Sequence, residues 1–325
     1  MKVTVEEVAK HAGVSRATAA RILGGYAGER SKSRTKVLEA AEELGYFPNK
    51  LAKGLASSRS FKIGIIIPDI ENLYFAKLYR GIQSVCHQNG FSLSLGISGE
   101  DEAIEQNILK ELLSEQVEGI IIAPSNGLKQ LTQCPIPVIS VDRVPDSDQY
   151  SWVSSDNYES SFRAVEHLYK QGYKDIALLM NLPHLSTVNE RWSGIRDACN
   201  HLMLPLTEHI TTSHQLEKTV LEVKECLAKT QPDVVISTDS VLCTAVLLAA
   251  NDLQIELGKN LGLISYDDEP WMTLVNPSIT TIKQPVVEMG EHAAQQLLEQ
   301  LSNPTTKLSH QRLKNELIIR NSTIR

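Results

Sequence analysis

From Lys62 onward the chain repeats one unit. IGIII at 63–67 is an apolar run without alternation, as expected of a parallel strand covered on both faces. An amphipathic stretch follows, with Phe75, Leu78, Ile82 and Val85 at helical spacing and a stop near Gly90. Further strands are predicted at 91–97, 119–123, 138–141, 176–180, 234–237 and 262–266, and helices at 104–113 and 158–171. Parallel neighbours need long crossovers, and crossovers are right-handed, so this rhythm leaves a doubly wound α/β architecture. Residues 62–325 are long enough for two such lobes.

The first sixty residues do not share the rhythm. Thr4-Val5-Glu6-Glu7 is a capping box, and Val5, Val8, Ala9 and Ala12 fall on one helix face. Gly13 breaks that helix, Val14 plugs the core and Ser15 caps the next helix. There Ala19, Ile22 and Leu23 point inward, while Arg16, Ala17, Ala20 and Arg21 form the opposite face. A third helix turns Val37, Leu38, Ala41 and Leu44 inward and stops at Gly45. Two helices joined by a Gly-Val-Ser turn make a helix-turn-helix, whose second helix offers its outer face to the major groove of DNA. Small Ala17 and Ala20 allow close approach, and Arg16 and Arg21 reach base edges. The bland alternative is a pair of solvated arginines, but turn, cap and charge coincide here.

Charge supports the division. Residues 1–60 carry eleven Lys and Arg against six Glu and no Asp, a net of +5, whereas the whole chain is at −7. A basic head on an acidic body predicts one segment that meets a polyanion. Between them NKLAKGLASSRS at 49–60 places Leu51, Ala52 and Leu55 on a stripe too short for a stable lone helix, with Lys50, Lys53 and Arg59 beside it. It reads as a linker, or as a segment that folds on DNA and wedges into the minor groove.

Other classes are excluded. The opening residues lack a secretory pattern, and no apolar run approaches a membrane span. Five cysteines are scattered without a C-x-x-C pair, which predicts reduced thiols, a cytoplasmic setting, no membrane and no zinc or other cofactor. No nucleophile elbow, P-loop or metal-spaced cluster suggests an enzyme. A transport-binding protein is opposed by the basic head and the missing leader.

In open α/β sheets ligands sit beyond the carboxyl ends of strands. That points to the loops carrying Asn72 and Phe75, Ser125, Arg143, Asp239, and Asp267 and Trp271. Carboxylates, an amide, an arginine and aromatics together suit a sugar or nucleoside pocket. Asp69 and Asp268 read equally as caps or turns.

The pattern VTVEEVAKHAGVSRATAARIL…VLEAAEELGYFPNKLAKGLA, continued through the body, resembles the lactose- and galactose-repressor family of bacterial transcription regulators. The resemblance covers essentially the whole chain. It implies a multidomain protein: a small all-α helix-turn-helix head at 1–47, a hinge at 48–61 and a two-lobed, periplasmic-binding-protein-like α/β body of two doubly wound parallel sheets at 62–325. The first lobe would take about 62–157 and 286–319, and the second about 158–285 and 320–325. VSSDN at 153–157, TTIKQP at 280–285 and a third passage near 319–321 would cross between them.

It implies base readers at Arg16, Ala17 and Arg21, hinge contacts at Asn49, Ala52 and Lys53, and a wedge at Leu55. Arg191, in Arg-Trp-Ser-Gly, and Asp267, in Ser-Tyr-Asp-Asp, would bind effector. The partners implied are operator DNA, bound by a homodimer on a palindromic site, and a small effector: a sugar or sugar derivative, with a nucleoside or purine as the alternative. The expected function is a ligand-responsive repressor. There are departures. Ala20 stands where the family has a phosphate-contacting serine. Glu29-Arg30 replaces Val-Ser before the third helix, leaving Ser31 or Ser33 to cap. The stretch 211–218 lacks an effector-stacking aromatic, for which Trp271 would compensate unless the ligand differs from a typical sugar. The end RNSTIR carries no leucine-heptad tail, so a tetramer built on one is not expected.

Overall fold

In α1 (Val5–His11) Glu7 N–H donates to Thr4 Oγ1 at 3.3 Å, and Glu7 Oε2 accepts from Thr4 N–H at 2.7 Å. The helix ends in a paired turn: Gly13 N–H donates to Lys10 O and Val14 N–H to Ala9 O, with Gly13 at φ +65°. Ser15 Oγ then accepts from Thr18 N–H at 3.1 Å and opens α2 (Arg16–Leu23). The third helix, α3 (Lys32–Glu43), stops by the same device at Gly45. Val8, Ala9, Ala12, Ala19, Val37, Ala40 and Ala41 form the core of this head. Leu38, expected inward, is 47% exposed. The inward row steps through 37, 40, 41 and 44, and Leu38 lies about 100° around the helix from Val37. Ser33 lies inside α3, so it is not the cap, and Ser31 lies outside the described residues.

The computed structural model describes residues 3–24, 32–46, 59–128, 134–212 and 215–325. They divide into two units, Met1–Phe61 and Lys62–Arg325. The second unit contains β1 (Lys62–Ile67), α4 (Leu73–Gln88), β2 (Ser92–Ile97), α5 (Glu102–Ser114), β3 (Gly119–Ile122), β4 (Val138–Val141) and β5 (Ser151–Ser155). Then come α6 (Asn157–Lys170), β6 (Ile176–Met180), α7 (Ser186–Leu202), β7 (Leu206–Ile210), α8 (Leu216–Thr230), β8 (Val234–Ser237), α9 (Ser240–Asp252) and β9 (Gly262–Tyr266). It ends with β10 (Thr280–Lys283), α10 (Val286–Ser302), β11 (His310–Leu313) and β12 (Glu316–Ile318).

These strands form two six-stranded sheets, β11-β5-β4-β3-β1-β2 and β12-β10-β9-β8-β6-β7. The two orders are the same walk, and each reverses direction beside its first strand. Every pairing is parallel except β10 with β12. The buried apolar strands expected from the sequence form the cores, Ile63, Ile65 and Ile67 in the first lobe and Ile176, Leu178 and Met180 in the second. The chain leaves the first sheet at Leu313 and enters the second at Glu316. The third passage therefore precedes the expected 319–321, because β12 pairs with β10 rather than continuing the first lobe.

Candidate functional site: a cleft between the lobes

The carboxyl ends of both sheets face one cavity of about 450 Å³. The first lobe contributes Asn72, Tyr74, Phe75, Glu100, Asp142 and Arg143, and the second contributes Asn181, Leu185, Arg191, Asp239 and Asp267. Asn72, Phe75, Arg143, Arg191, Asp239 and Asp267, all singled out from sequence, thus converge on one space.

The two lobes build their halves alike. Asp142 follows β4 and Asp267 follows β9, with left-handed φ of 70° and 68°. Each donates its backbone N–H to the next strand, Asp142 to Val153 O and Asp267 to Ile282 O. Aspartate tolerates this conformation better than most residues, and such strained positions cluster at binding sites. Tyr74, from the first helix of its lobe, donates its hydroxyl to Asp142 Oδ1 at 2.6 Å. Arg191, from the helix that follows the first strand of the other lobe, lies near Asp267 and partly offsets the effect of burial on it.

Arg191 is 6% exposed. Its Nε donates to Asn157 Oδ1 at 2.7 Å and its Nη1 to Thr238 O at 2.6 Å, and its guanidinium lies 3.9 Å from the Tyr266 ring centre. Gly194, one turn further along α7, brings this helix against the Tyr158 carbonyl of α6, where a Cβ would collide. The Arg-Trp-Ser-Gly stretch therefore combines a cavity-lining cation with the close contact that fixes its helix.

Asp239 caps α9 by accepting from Leu242 N–H at 2.8 Å and also accepts from Asn181 Nδ2 at 3.0 Å. Burial raises its carboxyl above the ordinary value, against the opposing pull of the Leu242 amide and Arg191. Burial also pushes Asp267 up to about 6, reinforced by Asp239 and Asp142. The Tyr74 hydroxyl titrates well above its usual value because it is buried and faces Asp142.

Arg143 turns inward to its own lobe. It holds Glu100 through two bonds of 2.8 and 2.6 Å and donates to Pro124 O at 2.7 Å. Ser125 and Trp271 do not line the cavity. The Ser125 amide is tied to Glu105 of α5 at 2.7 Å, which turns the residue away from the cleft. Trp271 sits in the 3₁₀ turn Pro270–Thr273 and packs on the second-lobe core, with Nε1 donating to Glu269. The aromatic lining comes instead from Tyr74 and Phe75. Asp268 is structural, held by Arg320 at 2.7 Å and Thr281 at 2.9 Å. Asp69 accepts from Glu71 N–H in a turn and also borders the cavity.

Sequence reasoning missed Gln284, which joins the cavity to the passages between lobes. Its Oε1 accepts from Ser155 Oγ at 2.9 Å, and its Nε2 donates to Asp267 Oδ1 at 2.8 Å. Among the described residues, further contacts cross between lobes: Val144 N–H to Ser186 Oγ at 2.8 Å, Lys77 Nζ to Asp268 O at 3.3 Å, and the two-pronged pair Arg312–Glu190 at 2.6 and 2.8 Å. TTIKQP and the acceptor pattern of Glu190 beside Arg191 carried this signal only weakly.

In the head, Arg16, Ala17, Ala20 and Arg21 are all exposed on α2. Asn49, Ala52, Lys53 and Leu55 lie outside the described residues. Among the described residues no helix is long and apolar enough to cross a membrane.

Comparison with known proteins agrees with both units. The pattern for bacterial regulatory proteins of the lacI family matches residues 4–49, and that for a periplasmic binding protein-like domain matches residues 165–323. Catabolite control protein A of Priestia megaterium is 29% identical over 99% of this chain and 100% of its own length. The ribose operon repressor of Bacillus subtilis is 31% identical over 91% of this chain and 90% of its own. The crystal structure of the lac repressor dimer bound to operator and an anti-inducer superposes with a TM-score of 0.87, at 23% identity, over 100% of both chains.

Proposed function

The chain belongs to the lacI family of bacterial regulatory proteins, and from that premise we propose that it is a repressor whose grip on a palindromic operator is set by a sugar or sugar derivative between its lobes. As a family member it is a DNA-binding transcription regulator and not an enzyme. The observation that carries the effector reading is the convergence of Arg191 and Asp267, both over nine-tenths buried, on a cavity lined by both lobes. The Nη2 side of Arg191 and Asp267 Oδ2, neither with a hydrogen-bond partner among the described residues, suit the hydroxyls of a polyol in the same cavity. A buried guanine or adenine would call for an amide edge and a stacking face, and Phe75 with Tyr74 meet edge to face at 85° rather than forming an open slot.

Control follows from the hydrogen bonds. Asp267 is joined through Gln284 to Ser155, so a ligand that engages Asp267 acts on the strand passages that set the angle between lobes. A ligand shifts the equilibrium by its differential affinity for the two lobe arrangements, and about 1–3 kcal/mol suffices for a 5- to 150-fold response. On DNA, Arg16, Ala17 and Arg21 are the base readers, while Asn49, Ala52 and Lys53 contact the hinge site and Leu55 wedges its centre. Two copies are required, since a palindrome mirrors two-fold protein symmetry.

The test is a selection of operator sequences with the full chain, followed by anisotropy titrations against a sugar library. A palindromic consensus and at least one sugar that moves the operator Kd are expected. A non-palindromic consensus bound by a monomer, or a response that survives Arg191→Gln and Asp267→Asn together, would refute the reading.

A further inference from the structure

Among the described residues five carboxylates (Asp69, Glu100, Asp142, Asp239, Asp267) line the cleft against two guanidiniums, with no lysine. One of those cations is already spent: Arg143 and Glu100 neutralise each other through two short bonds, and Pro124 O takes a third donor position. Arg191 commits its Nε–H and one Nη1–H to Asn157 and Thr238, which leaves the Nη2 side of its guanidinium for a ligand. On the acidic side, Asp267 Oδ2 has no hydrogen-bond partner among the described residues, and its residue is 7% exposed. Asp142 Oδ2 has only the 3.6 Å approach of Arg143 Nε. Two helix starts that could attract an anion are filled by the protein itself, α9 by the Asp239 carboxylate and α4 by the Asn72 amide oxygen.

Resting on the reading of this cleft as the effector site, we propose that it selects by charge: it takes a polyhydroxylated ligand bearing an amine ahead of the uncharged sugar, and rejects the phosphorylated and carboxylated forms. An ammonium placed among Asp142, Asp239 and Asp267 meets three carboxylates that share two guanidiniums, one of them already claimed by Glu100, and the rings of Tyr74 and Phe75 border the same space. A phosphate brings about −1.5 to −2 charges into that field with the Nη2 side of one guanidinium to receive it.

The experiment uses the full chain, with melting shifts and calorimetry for glucose, glucosamine, glucose 6-phosphate and gluconate, galactose and galactosamine, and ribose and ribose 5-phosphate. Within the series that binds, the aminated member should bind more tightly than its neutral parent, an equal or weaker amine overturning the preference, and the phosphate or acid should bind at least tenfold more weakly. Glu100→Gln, which releases Arg143, should narrow the gap between phosphate and parent by about tenfold. A phosphorylated or carboxylated member that binds more tightly than its parent overturns the charge selection alone and places the anion on the first turn of α7, which has no side-chain cap. If no member binds, and operator affinity also responds to none, both this proposal and the effector reading fall.

Discussion

Asp267→Asn should make the protein more stable while making it a poorer sensor. The substitution keeps the shape of the side chain, keeps an oxygen for Gln284 Nε2 to reach, and keeps a residue type that accepts φ of 68°. It removes only the charge. In the folded chain the Asp267 carboxyl is pushed from 3.8 to about 6 by burial, with Asp239 and Asp142 adding and Arg191 and Gln284 opposing. The fold therefore holds the proton more tightly than the unfolded chain does. Above pH 6 the carboxylate is ionised in both states, and ionisation costs the fold about 3 kcal/mol. As pH falls from 6 toward 4, the folded group takes up its proton first and that cost disappears. Asparagine never bears it.

That figure already includes the opposing pull of Arg191; discounted for relaxation and solvent around a buried charge, the net stabilisation at pH 7.5 should be about 1–2 kcal/mol. Effector binding moves the other way, because a charge-assisted hydrogen bond becomes a neutral one. The loss, the difference between the two kinds of bond, is about 1–1.5 kcal/mol, or roughly 5- to 13-fold in Kd. Urea melts of both proteins at pH 7.5 and pH 4.5, paired with calorimetry of the effector, read the two effects separately. The variant should lead at pH 7.5, and the gap should close at pH 4.5. A variant that is less stable at pH 7.5 and binds effector normally would refute both the buried-charge argument and the place of Asp267 in the site.

What the sequence disclosed tracks how locally each feature is determined. Capping and stop signals need only a few neighbours, so Thr4-Glu7, Ser15 and Gly45 were all legible and hold in the structure. Strands buried on both faces announce themselves by continuous apolar runs, and 138–141, 176–180, 234–237 and 262–266 match observed strands end to end. The strands not predicted are β5 and β10, interior but polar in sequence (SWVSS and TTIK), and the edge strands β7, β11 and β12. Burial along β7 and β11 mixes exposed with half-buried residues, so neither shows the apolar run of a central strand. The strand-end rule found Asp239, Asp267 and Arg143, but not which way each faces. Arg143 is claimed by Glu100, which lies 43 residues away, and Trp271 rolls onto a core assembled from β8, β9 and α9. Gln284 was quoted in a motif without its role, because its two partners come from positions 155 and 267 and meet only after both sheets have formed.

Three further outcomes are expected. Arg21→Ala should weaken selected-operator binding by about 1–3 kcal/mol and random-sequence binding much less, measured by anisotropy; equal losses would make Arg21 a phosphate contact. Glu190→Gln, which breaks a half-exposed pair between the lobes, should raise effector Kd two- to fivefold, about 0.5–1 kcal/mol, with no change in operator affinity when effector is absent. Gly194→Ala tests what fixes Arg191 in place. Alanine in a helix interior normally gains about 1 kcal/mol over glycine. Here the new Cβ would meet the Tyr158 carbonyl oxygen and lie 2.9 Å from Ser161 Cβ, and a backbone carbonyl in α6 cannot swing aside as a side chain can. The helices must separate, at a cost of about 1–3 kcal/mol. That movement draws Arg191 off Asn157 and Thr238, so effector affinity should fall together with stability. An alanine variant that melts higher than the parent and binds effector unchanged would show that the contact between α6 and α7 does not position the arginine.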